Sequence, residues 1–431
     1  MPPAVRDAYD GPFDPDVRLE DFSRQTLADL GREYLLMGHL AGTCASPLVM
    51  QGFGPEASTE ISIEQWMGAS PIYSKRMQRA LGFEGTTVET VFKNLQIEVG
   101  APAQFLDFQF RLDRPDYGEF WLPHCGALMD VEPLGEQAVR LMCHDIEDPT
   151  FDATAAAVNR MMKMRPIHRP PRVPEGRYPH CHWKVYIDDE GKPAQDHPSL
   201  AENRRAKIAT IGLDVPDSDR EPGGWSDYAG PLDPGFQLED LSHRALVIVN
   251  QEVAAQCHIL TRSYLRALVN RFGEQAAIDL APRHWIGIAA LTAERLPKVL
   301  GIEGDGIDAV AKVFQLHPHF FPRTYVDLRV ELTSDRSARI SIGDCPALQE
   351  GDVLSWFASL DEKPQPALDA IAAAVNPRAR CLPVSPGDAS LAWEVVIDSS
   401  AEPQPESPEL ALAKANKGAS FQHMRRRPLR H

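Results

Sequence analysis

Apolar side chains recur at helical spacing near the start of the chain. Asp21 or Ser23 can cap a helix that extends to about Leu40. The apolar positions of this helix are Leu27, Leu30, Tyr34 and Leu35. Two further helix starts are predicted at Thr59 and at Ser70, which is followed by a proline. The pattern therefore predicts that helices form the front of the fold.

Alternation of apolar and polar residues, which is typical of strands, begins later in the chain. The alternating segments are FLDFQFRL, EFWLPHC, MRPIHR and CHWKVYI, with EQAVRLMC predicted as a helix between the second and the third. Because helices and strands are segregated along the chain, the predicted fold class is α+β.

The helix-then-sheet pattern occurs twice. The segment GPFDPDVRLEDFSRQ begins at Gly11 and GPLDPGFQLEDLSHR begins at Gly230, a shift of 219 positions. Residues that recur at this shift or close to it include His39 and His258, Trp66 and Trp285, Lys93 and Lys312, and Trp183 and Trp393. Such recurrence in one order indicates a tandem duplication. Since a duplicated unit often keeps an ancestral two-fold interface, we expect the copies to pack as a pseudo-dimer.

The repeat divides the chain into four segments. Residues 1–190 form the first copy and residues 230–398 form the second. Residues 191–229 are rich in charge, Pro and Gly, and are predicted to be a linker. Residues 399–431 are predicted to be a disordered tail. The basic end of this tail is predicted to be solvated rather than bound to an anion; it contains Arg425, Arg426, Arg427 and Arg430.

Composition and charge narrow the class of protein. A chain of 431 residues is expected to form two domains. Hydrophobic residues make up 43% and charged residues 24%, and no run of apolar residues is long enough to predict a membrane span. The first thirty residues lack a basic start followed by an apolar stretch, which predicts no signal peptide and a cytoplasmic location. The net charge of −17 disfavours nucleic acid as a partner.

Cysteine and histidine residues are concentrated in the first copy. They are His124, Cys125, Cys143, His144, His168, His180, Cys181 and His182. The second copy has Asp344, Cys345, Leu360, Asp361, Ser385, Ser390, Leu391 and Ala392 at or near these positions. If the fold needed these donors for packing, both copies would keep them, so the difference indicates a task of the first copy alone. Cys125 is the exception, because its match in the second copy favours a buried structural thiol.

Three members of this cluster form a candidate metal site. In a strand, Cys181 points inward with Trp183, while His180 and His182 point to the other face. The predicted ligands are Cys143, His168 and Cys181, and their thiolate and imidazole donors suit zinc, with iron as the alternative. A fourth position would be filled by His144, Asp145, Glu147 or water. The competing interpretation is that Cys181 is a small core residue.

Other histidines are interpreted as structural. His39 and His258 occupy the same helical position among apolar residues in both copies, which favours core histidines with satisfied hydrogen bonds, with a catalytic role for His39 as the alternative. His317 and His319 occur only in the second copy and are predicted to lie in a loop.

The segments PHCGALMD, LMCHDIED, RPIHRPP and PHCHWKVYID resemble the L-2-amino-thiazoline-4-carboxylic acid hydrolase-like family and the related 4-vinyl-reductase-type small-molecule-binding domains. The resemblance covers roughly residues 105–190. It implies a domain that encloses a small organic ligand between helices and sheet, in some members with zinc and with hydrolysis of a ring C–N or C–S bond. It also implies Cys143 as the first metal ligand and Cys181 as the last, with His168 where these domains usually have cysteine.

Three functions compete on these observations. The first is a metal-dependent enzyme that hydrolyses a C–N or C–S bond of a small organic substrate, with His144, Asp145 and His182 as candidates for proton transfer. The second is a small-molecule-binding or sensor module with a structural metal, and the third is a metal-free scaffold. A homo-oligomer is compatible with all three. No phosphate-binding glycine loop, GxSxG elbow or HExxH helix is present in the sequence.

Overall fold

The computed structural model describes residues 5–424. Within this range two units of helices and antiparallel sheet follow one another along the chain. The predicted α+β class and the duplication are therefore confirmed.

The first unit consists of four helices, two strands, three further helices and two final strands. The helices are α1 (Arg24–Thr43), α2 (Ala45–Phe53), α3 (Pro55–Ala80), α4 (Val88–Asn94), α5 (Gly126–Val131), α6 (Glu136–Arg140) and α7 (Glu147–Ala156), with a π-helical turn at Leu141–Ile146. The strands are β1 (Gln109–Arg114), β2 (Tyr117–Leu122), β3 (Met162–His168) and β4 (Cys181–Ile187). The sheet order is β1-β2-β4-β3 and all pairings are antiparallel.

The second unit repeats this topology with different connections. The linker contains α8 (Pro198–Asn203) and α9 (Lys207–Thr210). The unit itself has α10 (His243–Phe272), α11 (Glu274–Leu300), α12 (Ile307–Leu316), β5 (Leu328–Leu332), β6 (Ser337–Ile342), α13 (Pro366–Val375), β7 (Ala379–Pro383) and β8 (Leu391–Ile397), and it is followed by α14 (Pro408–Lys414). The order β5-β6-β8-β7 is that of the first sheet.

Equivalent residues begin the long helices of both units. The Ser23 hydroxyl accepts a hydrogen bond from the backbone N–H of Thr26, and Ser242 does the same for Ala245, so serine caps α1 and α10. The next long helix begins in each unit after a glycine with positive φ, Gly54 at 89° and Gly273 at 83°. Glycine adopts this backbone conformation at no steric cost, so the turn between the helices is kept in both copies.

Two predicted helix starts, at Thr59 and Ser70, are wrong. A single helix, α3, runs without interruption from Pro55 to Ala80 and contains Pro71 in its interior. An internal proline costs a helix about 3 kcal/mol. Pro71 is buried, and the packing of this long helix against neighbouring elements outweighs that cost.

The two units pack as a pseudo-dimer through reciprocal contacts. The hydroxyl of Tyr9 donates to Gln315 Oε1 at 2.9 Å, and the hydroxyl of the equivalent Tyr228 donates to Gln96 Oε1 at 2.7 Å. Tyr9 lies in the first unit and Tyr228 lies directly before the second, and each donates to a glutamine of the opposite unit. The buried helices α1 and α10 also pack on each other between the units.

A second reciprocal pair involves the repeated lysines. Lys312 Nζ donates to the carbonyl of Gly11, and Lys93 Nζ donates to the carbonyl of Gly230. Each ammonium also lies about 5 Å from the centre of a tyrosine ring of the other unit, within the range of a cation–π contact. These contacts repeat under the same shift as the sequence, which confirms the predicted two-fold interface.

The segments outside the two units are ordered against them. Asn203 of the linker donates to the carbonyl of Gly68 on α3. Residues 399–424 differ from the disordered tail expected from composition: α14 buries Leu410 and Ala413 against α11. The basic end predicted at Arg425–Arg430 lies outside the described residues. No helix within residues 5–424 is both long and apolar enough to cross a bilayer.

Candidate functional site

The first unit contains a largely apolar cavity of about 410 Å³. Its lining includes helices α1, α2, α3 and α7 and the inner face of the sheet. The ring side chains in the lining are Trp66, Tyr73, Phe108, Phe151 and His39. The acidic side chains in it are Glu98, Asp130 and Glu147, and three thiols, Cys44, Cys125 and Cys181, also line it. Ligand sites typically combine such an apolar wall with a few polar groups.

Two glycines of the cavity wall stand in close contact with other lining residues. A Cβ at Gly42 would lie 3.1 Å from the Trp66 ring, and a Cβ at Gly100 would lie 3.3 Å from the Tyr73 hydroxyl oxygen. A larger residue at either position would therefore displace a ring of the cavity wall. The helix path also breaks at Cys44, between α1 and α2, where the second unit continues as one helix.

His39 presents an unpartnered nitrogen among the residues that line the cavity. Its Nδ1 donates to the carbonyl of Val99 at 3.1 Å, so Nε2 carries no proton when the ring is neutral. Burial lowers the pKa of His39 to about 4, which keeps the ring neutral at physiological pH. The side chain is 5% exposed, and Nε2 has no hydrogen-bond partner among the described residues. The expected core histidine is therefore buried but only half satisfied.

Glu98 lies on the same side of the cavity. Its Oε2 accepts hydrogen bonds from the Ser74 hydroxyl at 2.9 Å and from Asn94 Nδ2 at 3.2 Å. Burial raises the pKa of Glu98 to about 7, against the lowering effect of these two donors. Its other oxygen lies 3.4 Å from where a Cβ of Gly100 would stand. Glu98 therefore supplies a carboxyl group that exchanges its proton near neutral pH.

A second carboxyl group lies beside the buried thiols. Glu147 begins α7, and burial raises its pKa to about 8. Burial also raises the pKa of Cys125 to about 12 and that of Cys143 further, and Cys181 is affected in the same direction. Glu147 adds to the shift of all three thiols, so these four groups are neighbours. Such thiols are protonated at neutral pH and are poor nucleophiles without a further partner.

The predicted metal ligands do not come together. Cys181 points inward with Trp183, as the alternation in β4 predicts, and Cys143 is buried in the π-helical turn. His168 lies opposite His182 in the pairing of β3 with β4, and their rings are 6.0 Å apart on the outer face of the sheet. In the part of the chain that the structure describes, no group of three or more His, Cys, Asp or Glu side chains is arranged to hold a metal. Zinc or iron binding stays a prediction.

The predicted proton-transfer residues lie away from the cavity. His182 Nε2 donates to Glu119 Oε2 at 2.8 Å on the outer face of the sheet. His144 Nε2 donates to the carbonyl of Pro170 at 2.7 Å, and the neighbouring Asp145 is exposed. Across residues 5–424, none of these three side chains is part of the cavity lining.

In the second unit the positions equivalent to Gly100 and Trp66 belong to a buried, closely packed group of rings. At the position of Gly100 it has His319, whose Nδ1 accepts a hydrogen bond from Trp285 Nε1 at 3.0 Å. Trp356 stacks on Trp285 with ring centres 5.9 Å apart, and its centre is 4.3 Å from that of His319. All three side chains are at most 1% exposed. The loop expected at His317 and His319 is wrong, because both are buried at a 3-10 turn.

Sequence reasoning missed Glu98 and Gly100, although a signal for both was present. The shift of 219 aligns Glu98 with His317 and Gly100 with His319. A glycine opposite a large side chain in the other copy indicates a volume that only one copy fills. Glycine carries no donor group, so a pattern of donor residues does not point to such a position.

The C-terminal segment covers part of the cavity. Leu412, Ala415 and Asn416 belong to its lining, and Asn416 Nδ2 donates to the hydroxyl of Thr43 at 3.2 Å. The backbone N–H of Lys417 donates to Asp130 Oδ1 at 2.6 Å. The segment that follows the second unit thus returns to close the site of the first.

Comparison with protein-family models, with curated proteins and with solved structures gave no match to this chain.

Proposed function

We propose that the first unit binds a small, largely apolar organic molecule in the cavity, and that the second unit serves as its scaffold. The observation that carries this proposal is the contrast between the units: the first has a cavity of about 410 Å³ at Gly100 and Trp66, whereas the equivalent His319 and Trp285 of the second pack closely with Trp356. This is the binding-module hypothesis, without a requirement for a metal.

The loss of stability that an unfilled cavity causes supports this proposal. Protein interiors are close-packed, and atoms that line an unfilled apolar volume lose contacts that would stabilise the fold. The second unit shows that this scaffold can fill the space. A cavity of this size lies in the range of small-molecule sites, about 300–1,000 Å³. Keeping it open in one copy is therefore best explained by a ligand that occupies it.

A hydrocarbon fluorophore tests the proposal. 1,6-Diphenylhexatriene fluoresces in an apolar environment, and we expect its emission to rise on addition of the full chain. Gly100→His introduces the residue that the second unit has at this position, and should abolish the rise. Gly212→His is the matched control, because Gly212 is exposed and has open space around its Cα. Equal emission with both variants, at unchanged circular dichroism, would refute binding in this cavity.

The metal-dependent enzyme is the second candidate. The observation that favours it is that Cys125, Cys181 and Glu147 line the cavity and that the buried Cys143 lies within electrostatic reach of all three. The predicted set with His168 does not fit, since His168 lies on the other face of the sheet. Hydrolysis of a C–N or C–S bond remains part of this second proposal.

Elemental analysis tests the second candidate. Protein purified without chelator should contain zinc or iron, and Cys143→Ser and Cys181→Ser should each lower the metal content, because a hydroxyl is a weaker ligand than a thiolate. His182→Ala is the control, since His182 lies on the outer face beside Glu119. Protein without metal, or with the same metal content in both cysteine variants, would remove these residues from any metal site.

A further inference from the structure

We infer that the ligand of the first-unit cavity is an amine with an apolar body, bound with its ammonium group beside Glu98 and His39. This inference rests on the proposed function and specifies the chemical class of the molecule bound.

The first step is the unpartnered nitrogen of His39. Because Nδ1 donates to Val99, the buried Nε2 can only accept, and among the described residues nothing donates to it. An acceptor that is buried without a partner costs about 1–3 kcal/mol. A ligand that donates an N–H or O–H to Nε2 would remove this cost. The ligand therefore carries a donor at this end of the cavity.

The second step is the carboxyl group that lies near the same donor position. Glu98 follows the helix α4 and belongs to the turn that also provides Val99 and Gly100. The rings of His39 and Trp66 are 6.1 Å apart, and a Cβ at Gly100 would lie within 3.6 Å of both Trp66 and Glu98 Oε1. Histidine, glutamate and tryptophan thus surround one small volume. An ammonium there would gain a charge-assisted hydrogen bond and contact with an aromatic ring face.

The third step is the sign of charge around the cavity. Its lining contains the carboxyl groups of Glu98, Asp130 and Glu147, and, over residues 5–424, no Lys or Arg. Anionic ligands would meet carboxyl groups without a compensating cation, which disfavours carboxylates and phosphates. A neutral alcohol could donate a hydrogen bond to His39, but it could not form a charge-assisted hydrogen bond with Glu98. An ammonium group can donate to both side chains.

The remaining lining defines the rest of the ligand. Phe108, Leu122 and Phe151 are apolar, and they lie on the sheet and on α7. Aromatic and aliphatic walls of this kind stabilise an apolar body through burial, at about 25 cal/mol for each Å² removed from water. We therefore expect an aryl or alkyl amine rather than a polyamine or an amino acid.

Three indole compounds of nearly equal shape test the inference with the full chain. Tryptamine carries an ammonium, tryptophol a hydroxyl and indole-3-propionate a carboxylate. Isothermal titration calorimetry at pH 8 should give the tightest binding for tryptamine, by about 10- to 100-fold over tryptophol, as expected for a hydrogen bond to a charged group. Indole-3-propionate should bind most weakly.

Variants test whether the preference for tryptamine over tryptophol arises at Glu98. Glu98→Gln keeps the size of the side chain and should lower tryptamine affinity to the level of tryptophol, while tryptophol affinity changes little. Glu303→Gln is the control, because Glu303 is exposed in the second unit. Gly100→His should abolish binding of tryptamine and tryptophol alike. Tryptamine affinity that survives Gly100→His, or a preference unchanged in Glu98→Gln, would overturn the inference.

Failure of this inference can be told apart from failure of the proposed function. If diphenylhexatriene binds in a manner sensitive to Gly100→His but tryptamine binds no better than tryptophol, the amine is wrong and the cavity still binds apolar molecules. If neither diphenylhexatriene nor any of the three indoles binds, both are wrong.

Discussion

The two units of this chain share one topology and differ in what occupies their interiors. In the first unit Gly100 belongs to the wall of a cavity that Trp66, Glu98 and a half-satisfied His39 also line. Around His319 the second unit has a close-packed aromatic group with Trp285 and Trp356. The second unit forms the same sheet topology and the same long helices around this packed group, so the fold does not require the residues that line the cavity of the first.

The two units also differ in the ionisable group at one equivalent position. The first unit places Glu98 where the second has His317, whose Nε2 donates to the carbonyl of Ala289 at 3.1 Å. In the second unit a neutral imidazole is satisfied by the backbone, whereas in the first a carboxyl group is held near its point of ionisation. A buried group with a shifted pKa in a concave site is a common mark of function.

The largest effect is expected from emptying the second unit. Trp356→Ala should lower the free energy of unfolding by about 3–5 kcal/mol, because the indole is 1% exposed and its removal leaves a cavity. Trp66→Ala in the first unit should cost less, since Trp66 already borders open space. Urea unfolding followed by circular dichroism measures both. An equal cost for the two variants would mean that the two interiors are equally well packed.

A smaller effect should appear in the pH dependence of stability. The pKa of Glu98 is raised to about 7 in the folded chain, above its value of about 4.3 when unfolded. The folded state therefore holds a proton that the unfolded state releases, and the contribution of Glu98 to stability falls as pH rises from about 5 to 8. In Glu98→Gln this loss should be absent, so the variant gains on the order of 1–3 kcal/mol over the parent at pH 8.

The comparison at low pH is the internal control for this prediction. Near pH 3 the carboxyl group of Glu98 is almost fully protonated in both states, so parent and variant should be about equally stable. In the folded state the groups that face Glu98 do not titrate between pH 5 and 8: they are the Ser74 hydroxyl, the Asn94 amide, the Tyr73 phenol, whose pKa is raised by burial, and the His39 ring, whose pKa is lowered to about 4. The contribution of His39 in the unfolded state is the same in parent and variant and cancels from the difference. A stability difference that does not change with pH would contradict the assignment of this slope to Glu98.

The sequence predicts those features that depend on periodicity and repetition. The alternation in β4 correctly places Cys181 and Trp183 inward, because a strand turns successive side chains to opposite faces. The shift of 219 predicts the two-fold interface, since the equivalent residues Tyr9 and Tyr228 each donate to a glutamine of the opposite unit. The first feature follows from the geometry of a strand, and the second follows from the recurrence of identical residues in the two copies.

Features that depend on a local irregularity are not visible in the pattern. The pairing of β3 with β4 shifts register between Pro166 and His168, which sets His168 opposite His182 on the outer face. One extra residue in a strand reverses the face of every side chain beyond it. With regular pairing beyond Pro166, His168 would lie opposite Cys181 on the inner face. The interior proline of α3 and the order of residues 399–424 depend likewise on tertiary packing rather than on local sequence.

The smallest effect is expected at the segment that covers the cavity of the first unit. The Asn416 side chain donates to Thr43 and its Oδ1 accepts from the backbone N–H of Gly418. Asn416→Ala removes both bonds and should loosen the cover at a cost of about 1 kcal/mol. If this segment closes the site, diphenylhexatriene should dissociate several-fold faster from the variant in stopped-flow fluorescence.

Asn159→Ala is the matched control, because Asn159 also accepts from a nearby backbone N–H, that of Met161, but is not among the cavity-lining residues of the described chain. Dissociation at the parent rate from Asn416→Ala would show that the ligand leaves by another route, and the C-terminal segment would then join the second unit as scaffold.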